Sequence, residues 1–265
     1  MTWSGVSALL ATLALVLALP ARAAERAAPG GGPDRVVSLN LCADQLLALL
    51  APERAAALST LSRDPALSHV APQAAALPQV RADAEAVLRL RPGLVLAGRY
   101  GAQATVALLE RRGVPVLRLD QPASFDAVRA QVRAVAAALG VPERGEALVH
   151  DMDARLAALP RPARPPRALL WGARGWTSGP GTMGDAVLRA AGLENAGAGG
   201  VVGLETLLAR PPDLLVTAEA PRFPSLATDL LRHPGLAGLP RRGVPAALLI
   251  CAGPFTAGAV EMLAR

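Results

Sequence analysis

The sequence contains the same helix–proline–strand phrase twice, and this repeat limits the folds that the chain can adopt. Residues 85–96 begin with Glu-Ala-Val-Leu and end in an apolar run after a proline. Residues 205–216 repeat that order, with Glu205 standing 120 positions after Glu85. A repeat of this length predicts two similar structural units rather than one continuous sheet.

A second repeated phrase follows each copy of the first. Arg-Arg-Gly-Val-Pro occupies residues 111–115 and again residues 241–245. Short phrases can recur by chance in a chain rich in Ala and Leu, but two matches in the same order make chance the weaker explanation. Two similar lobes leave a cleft between them, and small ligands commonly bind in such clefts.

The charge pattern argues against a nucleic-acid partner. The net charge is +6, every basic residue other than histidine is Arg, and these arginines are spread along the chain without a dense basic run. Nucleic-acid binders usually concentrate positive charge on one face or in one segment.

Residues 1–23 have the pattern of a secretory signal peptide. An apolar run over residues 6–19 ends at Pro20 and is followed by Ala-Arg-Ala, which is typical of a cleavage site before Ala24. We therefore expect a soluble periplasmic protein whose residues 24–34 form a flexible leader. The alternative is an uncleaved membrane anchor, for which the apolar run is short.

Strand-like and helix-like segments alternate through the first half. Strands are predicted at residues 35–39, 55–58, 94–97 and 114–119, with helices between them. This alternation predicts an α/β fold with mainly parallel sheets.

One long helix is expected to connect the two halves. Residues 143–159 place apolar side chains on one face and end at a proline-rich segment. We predict an N-terminal lobe over residues 35–141, a connecting helix over 142–160 and a C-terminal lobe over 161–265. Two further predictions in the second half are a helix at residues 225–232 and a strand at 247–250.

These features together resemble the ABC-transporter periplasmic binding proteins for vitamin B12 and ferric siderophores. The resemblance rests on residues 35–39, on the Glu-x-x-Leu…Pro-x-Leu-Val phrase in both halves and on the long connecting helix. It implies two α/β lobes joined by a rigid helix, with a metal chelate held between them. It also implies delivery of that ligand to an ABC permease in the inner membrane. We further expect a monomer that needs no cofactor.

The same resemblance suggests a role for Glu85 and Glu205. In the vitamin B12-binding protein, one surface glutamate on each lobe docks onto arginines of the permease, and these two residues occupy the matching places. The simpler explanation is that a glutamate in the first turn favours the positive end of a helix dipole. That explanation accounts for each glutamate alone but does not require the two to match.

The ligand is expected at the loops that follow the parallel strands, because ligands of α/β lobes meet the carboxyl ends of strands. Most of the few aromatic residues fall in these loops, and flat rings suit a bulky, partly apolar chelate. The loop arginines could bind carboxylate oxygens, although ordinary solvated arginine is the simpler explanation for each. The candidate ligand-binding residues are Asn40, Cys42, Arg63, Arg99, Tyr100, Trp176, Phe223, Cys251 and Phe255.

The two cysteines leave three alternatives open. Cys42 and Cys251 each follow a predicted strand, one in each lobe. In an exported protein they could form a disulfide. They could instead be two pocket thiols that bind a soft metal, or two small buried apolar residues.

The sequence favours a binding protein over an enzyme. It has no Gly-x-Ser-x-Gly motif, no phosphate-binding loop and no spacing of its three histidines that indicates a metal site. We therefore predict no catalytic residues and no resident metal. The alternatives are a haem- or metal-ion-binding protein of the same fold, or an exported bilobal sensor or enzyme.

Overall fold

The N-terminal lobe is built on a five-stranded parallel sheet. This computed structural model describes residues 31–219 and 228–265, so the predicted signal peptide and most of the leader lie outside the described residues. The strands are β1 (Val36–Ser38), β2 (Ala55–Ser59), β3 (Gln79–Val80), β4 (Leu94–Gly98) and β5 (Val116–Leu119). Their order in the sheet is β3-β2-β1-β4-β5.

Both faces of this sheet are buried. Val36 and Leu96 pack in one hydrophobic cluster, whereas Val37 and Val95 pack in another on the opposite face. Successive side chains of a strand point to opposite faces, so the continuous apolar runs of β1 and β4 fit a sheet that is covered on both sides.

Four helices alternate with the strands of the N-terminal lobe, and local capping explains two of their starts. The Asn40 side chain accepts hydrogen bonds from the backbone N–H groups of Cys42 and Ala43, and the Asp83 side chain accepts one from Ala86. Such caps satisfy N–H groups that have no partner within the helix. The helices are α1 (Leu41–Leu50), α2 (Ala71–Ala74), α3 (Ala84–Arg89) and α4 (Gln103–Arg111).

Two packed helices lie between the first sheet and the second along the chain, and the second of them covers most of the predicted connecting helix at residues 142–160. Helix α5 spans Phe125–Ala138 and α6 spans Pro142–Ala157, the longest helix of the described chain. Gly145 lets them approach closely, because a Cβ atom there would lie 2.5 Å from the Ala136 Cβ. Arg133 also forms an ion pair with Glu146 across the two helices, with a 2.7 Å contact. A helix pair of this kind is a stiffer connection than an extended linker.

The C-terminal lobe repeats the sheet topology with one strand fewer. Its parallel sheet has the order β11-β10-β6-β8, and β7 pairs with β9 as a separate antiparallel ribbon. The strands are β6 (Arg167–Leu170), β7 (Trp176–Thr177), β8 (Glu194–Asn195), β9 (Gly200–Val201), β10 (Leu214–Ala218) and β11 (Arg241–Val244). The helices are α7 (Met183–Ala190), α8 (Leu204–Ala209) and α9 (Ala257–Ala264). The predicted α/β class with mainly parallel sheets is therefore confirmed.

The first repeated phrase has the same structure in both lobes. Helices α3 and α8 begin 120 residues apart, at Ala84 and Leu204, and strands β4 and β10 begin 120 residues apart, at Leu94 and Leu214. The second phrase does not. Gly113 has a φ of 77° just after the end of α4, whereas Gly243 lies within β11. The Arg-Arg-Gly-Val-Pro match is therefore not a structural repeat.

Two sequence predictions in the C-terminal lobe need correction or restriction. The strand predicted at residues 247–250 is wrong: the strand is β11, which pairs with β10 and ends before Pro245, and a 3₁₀ turn spans Ala246–Leu248. The predicted helix at residues 225–232 lies partly outside the described residues, and its described end is a 3₁₀ turn over Asp229–Arg232. Among the described residues, no helix is both long and apolar enough to span a bilayer.

Candidate ligand cleft

A pocket lies between the lobes, where loops from the carboxyl ends of both sheets meet. Its volume is about 130 Å³. The N-terminal lobe contributes Cys42 and residues 120–122, and the C-terminal lobe contributes Met183 and residues 249–252. This is the position at which α/β lobes bind ligands. Apart from Asp120 and Gln121, the lining side chains are apolar or contain sulfur.

A disulfide between Cys42 and Cys251 forms part of the wall of this pocket. The two sulfur atoms are 2.14 Å apart and the Cα atoms are 5.2 Å apart. Of the three alternatives that the sequence left open, the structure has the disulfide. It joins the first turn of α1 to the loop that precedes α9, so the two lobes are covalently linked beside the pocket.

Arg99 and Asp120 form an ion pair at the edge of the cleft. The Arg99 Nη2 donates to the Asp120 Oδ2 over 2.9 Å, and the Nε donates to the other carboxylate oxygen. These hydrogen bonds hold the pKa of Asp120 below its usual value. The guanidinium predicted to bind ligand is therefore already occupied, although a ligand carboxylate could compete with Asp120 for it. The neighbouring Tyr100 is 75 % exposed.

Arg63 and Asn40 stabilise their own loops. Arg63 donates hydrogen bonds to the backbone carbonyls of Ala74 and Leu77, and the Asn40 side chain caps α1. Neither residue lines the interlobe pocket. Both residues follow predicted strands in the sequence, but their side chains hydrogen-bond to nearby backbone groups instead of facing the pocket.

Phe255 is buried rather than open to the cleft. It is 5 % exposed, and its ring stacks with the His69 ring at a centroid distance of 5.0 Å. Burial lowers the pKa of His69, and the charge of Arg155 lowers it further. This ring pair is a second contact between the lobes, beside the disulfide.

Trp176 is exposed on the short antiparallel ribbon. It pairs with Val201 across β7 and β9, and the two side chains are 60 % and 66 % exposed. Trp171, by contrast, is fully buried, and its indole N–H donates to the Val202 carbonyl. The remaining aromatic candidate, Phe223, lies outside the described residues.

The two candidate docking glutamates occupy equivalent exposed positions. Glu85 lies in α3 and forms an ion pair with Arg89 over 2.7 Å. Glu205 lies in α8, where Ala209 stands in the place of Arg89. Within residues 31–219 and 228–265, Glu205 has no ion-pair partner.

A buried carboxyl group lies in the first turn of α1, two residues after Cys42. Asp44 is fully buried, and burial raises its pKa to about 6. Its carboxylate accepts hydrogen bonds from the backbone N–H and the hydroxyl of Ser59. In the described part of the chain, no group of three or more His, Cys, Asp or Glu side chains could hold a metal ion.

The chain belongs to the periplasmic binding protein family, whose pattern matches residues 36–240. Members of this family are non-enzymatic solute-binding subunits of ABC importers. This confirms the resemblance inferred from the sequence, at the level of the family. No curated protein matches the chain.

Several solved structures share the fold. The apo periplasmic heme-binding protein RhuT from Roseiflexus sp. RS-1 is 28 % identical, with a TM-score of 0.69 over 88 % of this chain and 98 % of that one. A periplasmic heme-binding protein from Pseudomonas aeruginosa is 27 % identical, with a TM-score of 0.69 over 88 % and 91 %. The vitamin B12-binding protein BtuF of Vibrio cholerae, at 20 % identity and a TM-score of 0.61 over 88 % and 95 %, shares the fold.

Proposed function

We propose that this protein captures a metal chelate of the haem type in the interlobe cleft and delivers it to an inner-membrane ABC permease. The observation that carries the proposal is the pocket between the loops at the carboxyl ends of the two sheets, with its apolar and sulfur-containing lining. A flat macrocycle gains most from such a lining, because its binding is driven by burial of apolar surface. Corrinoids and ferric siderophores are the competing chelates.

The residues around the cleft fit the polar parts of such a ligand. Tyr100 is the only tyrosine of the chain, it is exposed beside the cleft, and a phenolate is a suitable ligand for ferric iron. Arg99 can pair with a propionate group in place of Asp120. Trp176 offers an exposed ring on the opposite lobe. The similarity to two heme-binding proteins at 27–28 % identity supports haem over the other chelates.

A spectroscopic titration tests the ligand class. The protein starting at Ala24 is titrated with ferric haem, cyanocobalamin and a ferric siderophore, and binding is followed by absorbance and by thermal stability. We expect a saturable haem Soret band and a stabilisation of about 2.7 kcal/mol at a ligand concentration one hundred times Kd. Stabilisation by cyanocobalamin or the siderophore, but not by haem, would assign the site to that chelate.

The Tyr100→Phe variant tests the iron ligand. Because the chain has one tyrosine, a phenolate-to-iron charge-transfer band in the wild-type complex must come from Tyr100. We expect the variant to lose this band and to bind haem more weakly, while its unfolding curve stays unchanged, since Tyr100 is largely exposed. An unchanged spectrum would exclude Tyr100 from the iron.

Delivery to the permease is proposed to depend on Glu85 and Glu205. They are exposed, equivalent in the two lobes and located on matching helices, so they can orient the protein on a two-fold transporter through charge-assisted contacts. We expect Glu85→Ala with Glu205→Ala to keep ligand affinity but to abolish uptake. The matched control is Glu143→Ala with Glu194→Ala, two exposed glutamates outside these helices. Normal uptake by the first double variant would contradict the docking role.

A further inference from the structure

The interlobe pocket is too small to be the whole ligand site. Small-molecule sites usually enclose roughly 300–1,000 Å³, whereas this pocket encloses about 130 Å³. A chelate in the cleft must therefore lie partly in the open cleft, or reach a further space within the protein.

Such a space exists in the C-terminal lobe. A second pocket of about 200 Å³ lies at the ends of β6 and β10 and against the first turns of α7. Three of its lining residues, Met183, Leu249 and Ile250, also line the interlobe pocket. These three side chains therefore form the wall between the two pockets, and together the pockets reach the lower end of the usual volume range.

We infer that the two pockets are compartments of one ligand site, and that the rear pocket takes an apolar substituent at the edge of the bound chelate. This inference rests on the proposed function for the identity of the chelate, but not for the existence of the rear pocket.

The lining of the rear pocket selects for an apolar group. Apart from the three wall residues, it is formed mainly by apolar side chains, among them Leu170, Val187, Ala218 and Ala246. A charged or strongly polar group would lose its hydration there without gaining partners.

The lining also contains two hydroxyl groups, of which that of Thr256 is used by hydrogen bonds within the protein. The Thr256 Oγ1 accepts a hydrogen bond from the Gly253 N–H and donates one to the Cys251 carbonyl. The Ser178 hydroxyl lies against α7 at a position where Gly184 has no side chain; a Cβ atom there would lie 2.3 Å from the Ser178 Oγ. Cavities of about 150 Å³ with apolar walls bind benzene, so a two-carbon or aromatic substituent fits the rear pocket.

The wall can move without unfolding the lobe. Met183 is the first residue of α7, and methionine is unbranched and adapts readily to irregular spaces. Ile250 is 42 % exposed, so its side chain has room to rotate towards solvent. A ligand edge can therefore displace these two side chains and enter the rear pocket.

The first test probes the rear pocket without any chelate. Protein labelled at the methyl groups of Met, Val and Leu is titrated with benzene and followed by NMR. We expect shifts at Met183, Val187 and Leu249 in the wild type and their loss in Ala218→Phe, which fills only the rear pocket. Ala104→Phe, on the exposed side of α4, is the matched control and should behave as the wild type. Absence of the shifts in the wild type would overturn the inference.

The second test asks whether the chelate uses the pocket. Ferric protoporphyrin IX is compared with ferric deuteroporphyrin IX, which lacks the two vinyl groups. We expect the wild type to bind the vinyl-bearing porphyrin about tenfold more tightly, from the burial of one two-carbon group. Ala218→Phe should remove this preference, and Ala246→Leu is the smaller filling variant if Ala218→Phe does not fold.

The outcomes separate the two proposals. If benzene binds but neither porphyrin does, the rear pocket stands and the haem assignment fails. If both porphyrins bind equally and the filling variants change nothing, the haem assignment stands and the two-compartment site is wrong.

Discussion

The two lobes use the same helix–strand unit but surround it differently. In the N-terminal lobe, β4 is followed by the nine-residue helix α4 and a five-stranded sheet is completed. In the C-terminal lobe, the described part of the connection after β10 contains only 3₁₀ turns, and the sheet has four strands. The repeat therefore specifies the centre of each lobe, whereas the outer elements and the cleft loops are specific to each copy.

The covalent link between the lobes gives the largest expected effect on stability. Removing the disulfide in Cys42→Ser with Cys251→Ser should lower the free energy of unfolding by about 4 kcal/mol, because the bridge closes a very long loop in the unfolded chain. Urea unfolding of the variant and of the wild type, each with and without reductant, measures this. An effect of reductant on the variant, or no loss of stability, would contradict the prediction.

If the lobes unfold independently once the bridge is lost, the variant should show two transitions where the wild type shows one. The pocket between the lobes should then bind ligand more weakly, because its two walls are no longer held together.

The buried carboxyl groups of the two lobes should give opposite pH dependences. Each lies in the first turn of the helix after the first strand of its sheet: Asp44 in α1 and Asp185 in α7. Burial raises the pKa of Asp44 to about 6. For Asp185, burial also acts to raise the pKa, but hydrogen bonds from Asn195, Gly181 and Arg189 outweigh it and lower the pKa.

The direction in which stability changes with pH follows from the direction of each pKa shift. The folded pKa of Asp44 lies above its unfolded value of 3.8, so its contribution to stability is complete below pH 3.8 and is lost as the pH rises through about 6. The loss amounts to about 3 kcal/mol, at 1.36 kcal/mol per pH unit. For Asp185, the contribution is present above pH 3.8 and is lost as the pH falls through its lower folded pKa.

Unfolding measured from pH 3 to pH 7 separates the two groups. Asp44→Asn should remove the fall in stability between pH 4 and pH 7, and Asp185→Asn should remove the fall below pH 4. The same pH profile in Asp44→Asn and in the wild type would show that Asp44 is not responsible.

Truncation of equivalent core side chains should give the smallest difference in stability between the lobes. Val87 in α3 and Leu207 in α8 are repeat-mates and are both buried. Leu207→Ala should cost about 3 kcal/mol and Val87→Ala about 2 kcal/mol, because the larger side chain leaves the larger cavity. Chemical denaturation of the two variants measures this, and Leu208→Ala, at a position 40 % exposed, is the control. A larger cost at Val87 would mean that the two helices are packed differently.

Much of the fold was predictable because it depends on local signals. The capping residues Asn40, Asp83 and Ser124 and the proline at the start of α6 mark helix ends within a few residues. The repeat predicts α8 and β10 from α3 and β4. Two-residue strands such as β3 and β8 carry no periodic signal, since their existence depends on the neighbouring strand rather than on their own residues.

The site was less predictable because it depends on contacts between distant segments. Sequence order places Phe255 and Arg63 in cleft loops, but only tertiary packing shows that Phe255 stacks on His69 and that Arg63 binds backbone carbonyls. Met183 was missed as a pocket residue. Its position at the first turn of α7, directly after a Gly-rich loop at a strand end, is the signal that could have found it.

The position of the disulfide also fixes an order of events during maturation. Cys42 is separated from Cys251 by 209 residues, so every described strand of both lobes except β1 lies between them in the chain. Docking of the two lobes favours this pairing, because it holds the Cα atoms 5.2 Å apart, within the range of a disulfide. A free thiol at Cys42 therefore marks a molecule in which this bond has not formed, which makes thiol labelling a simple assay for completion of the link between the lobes.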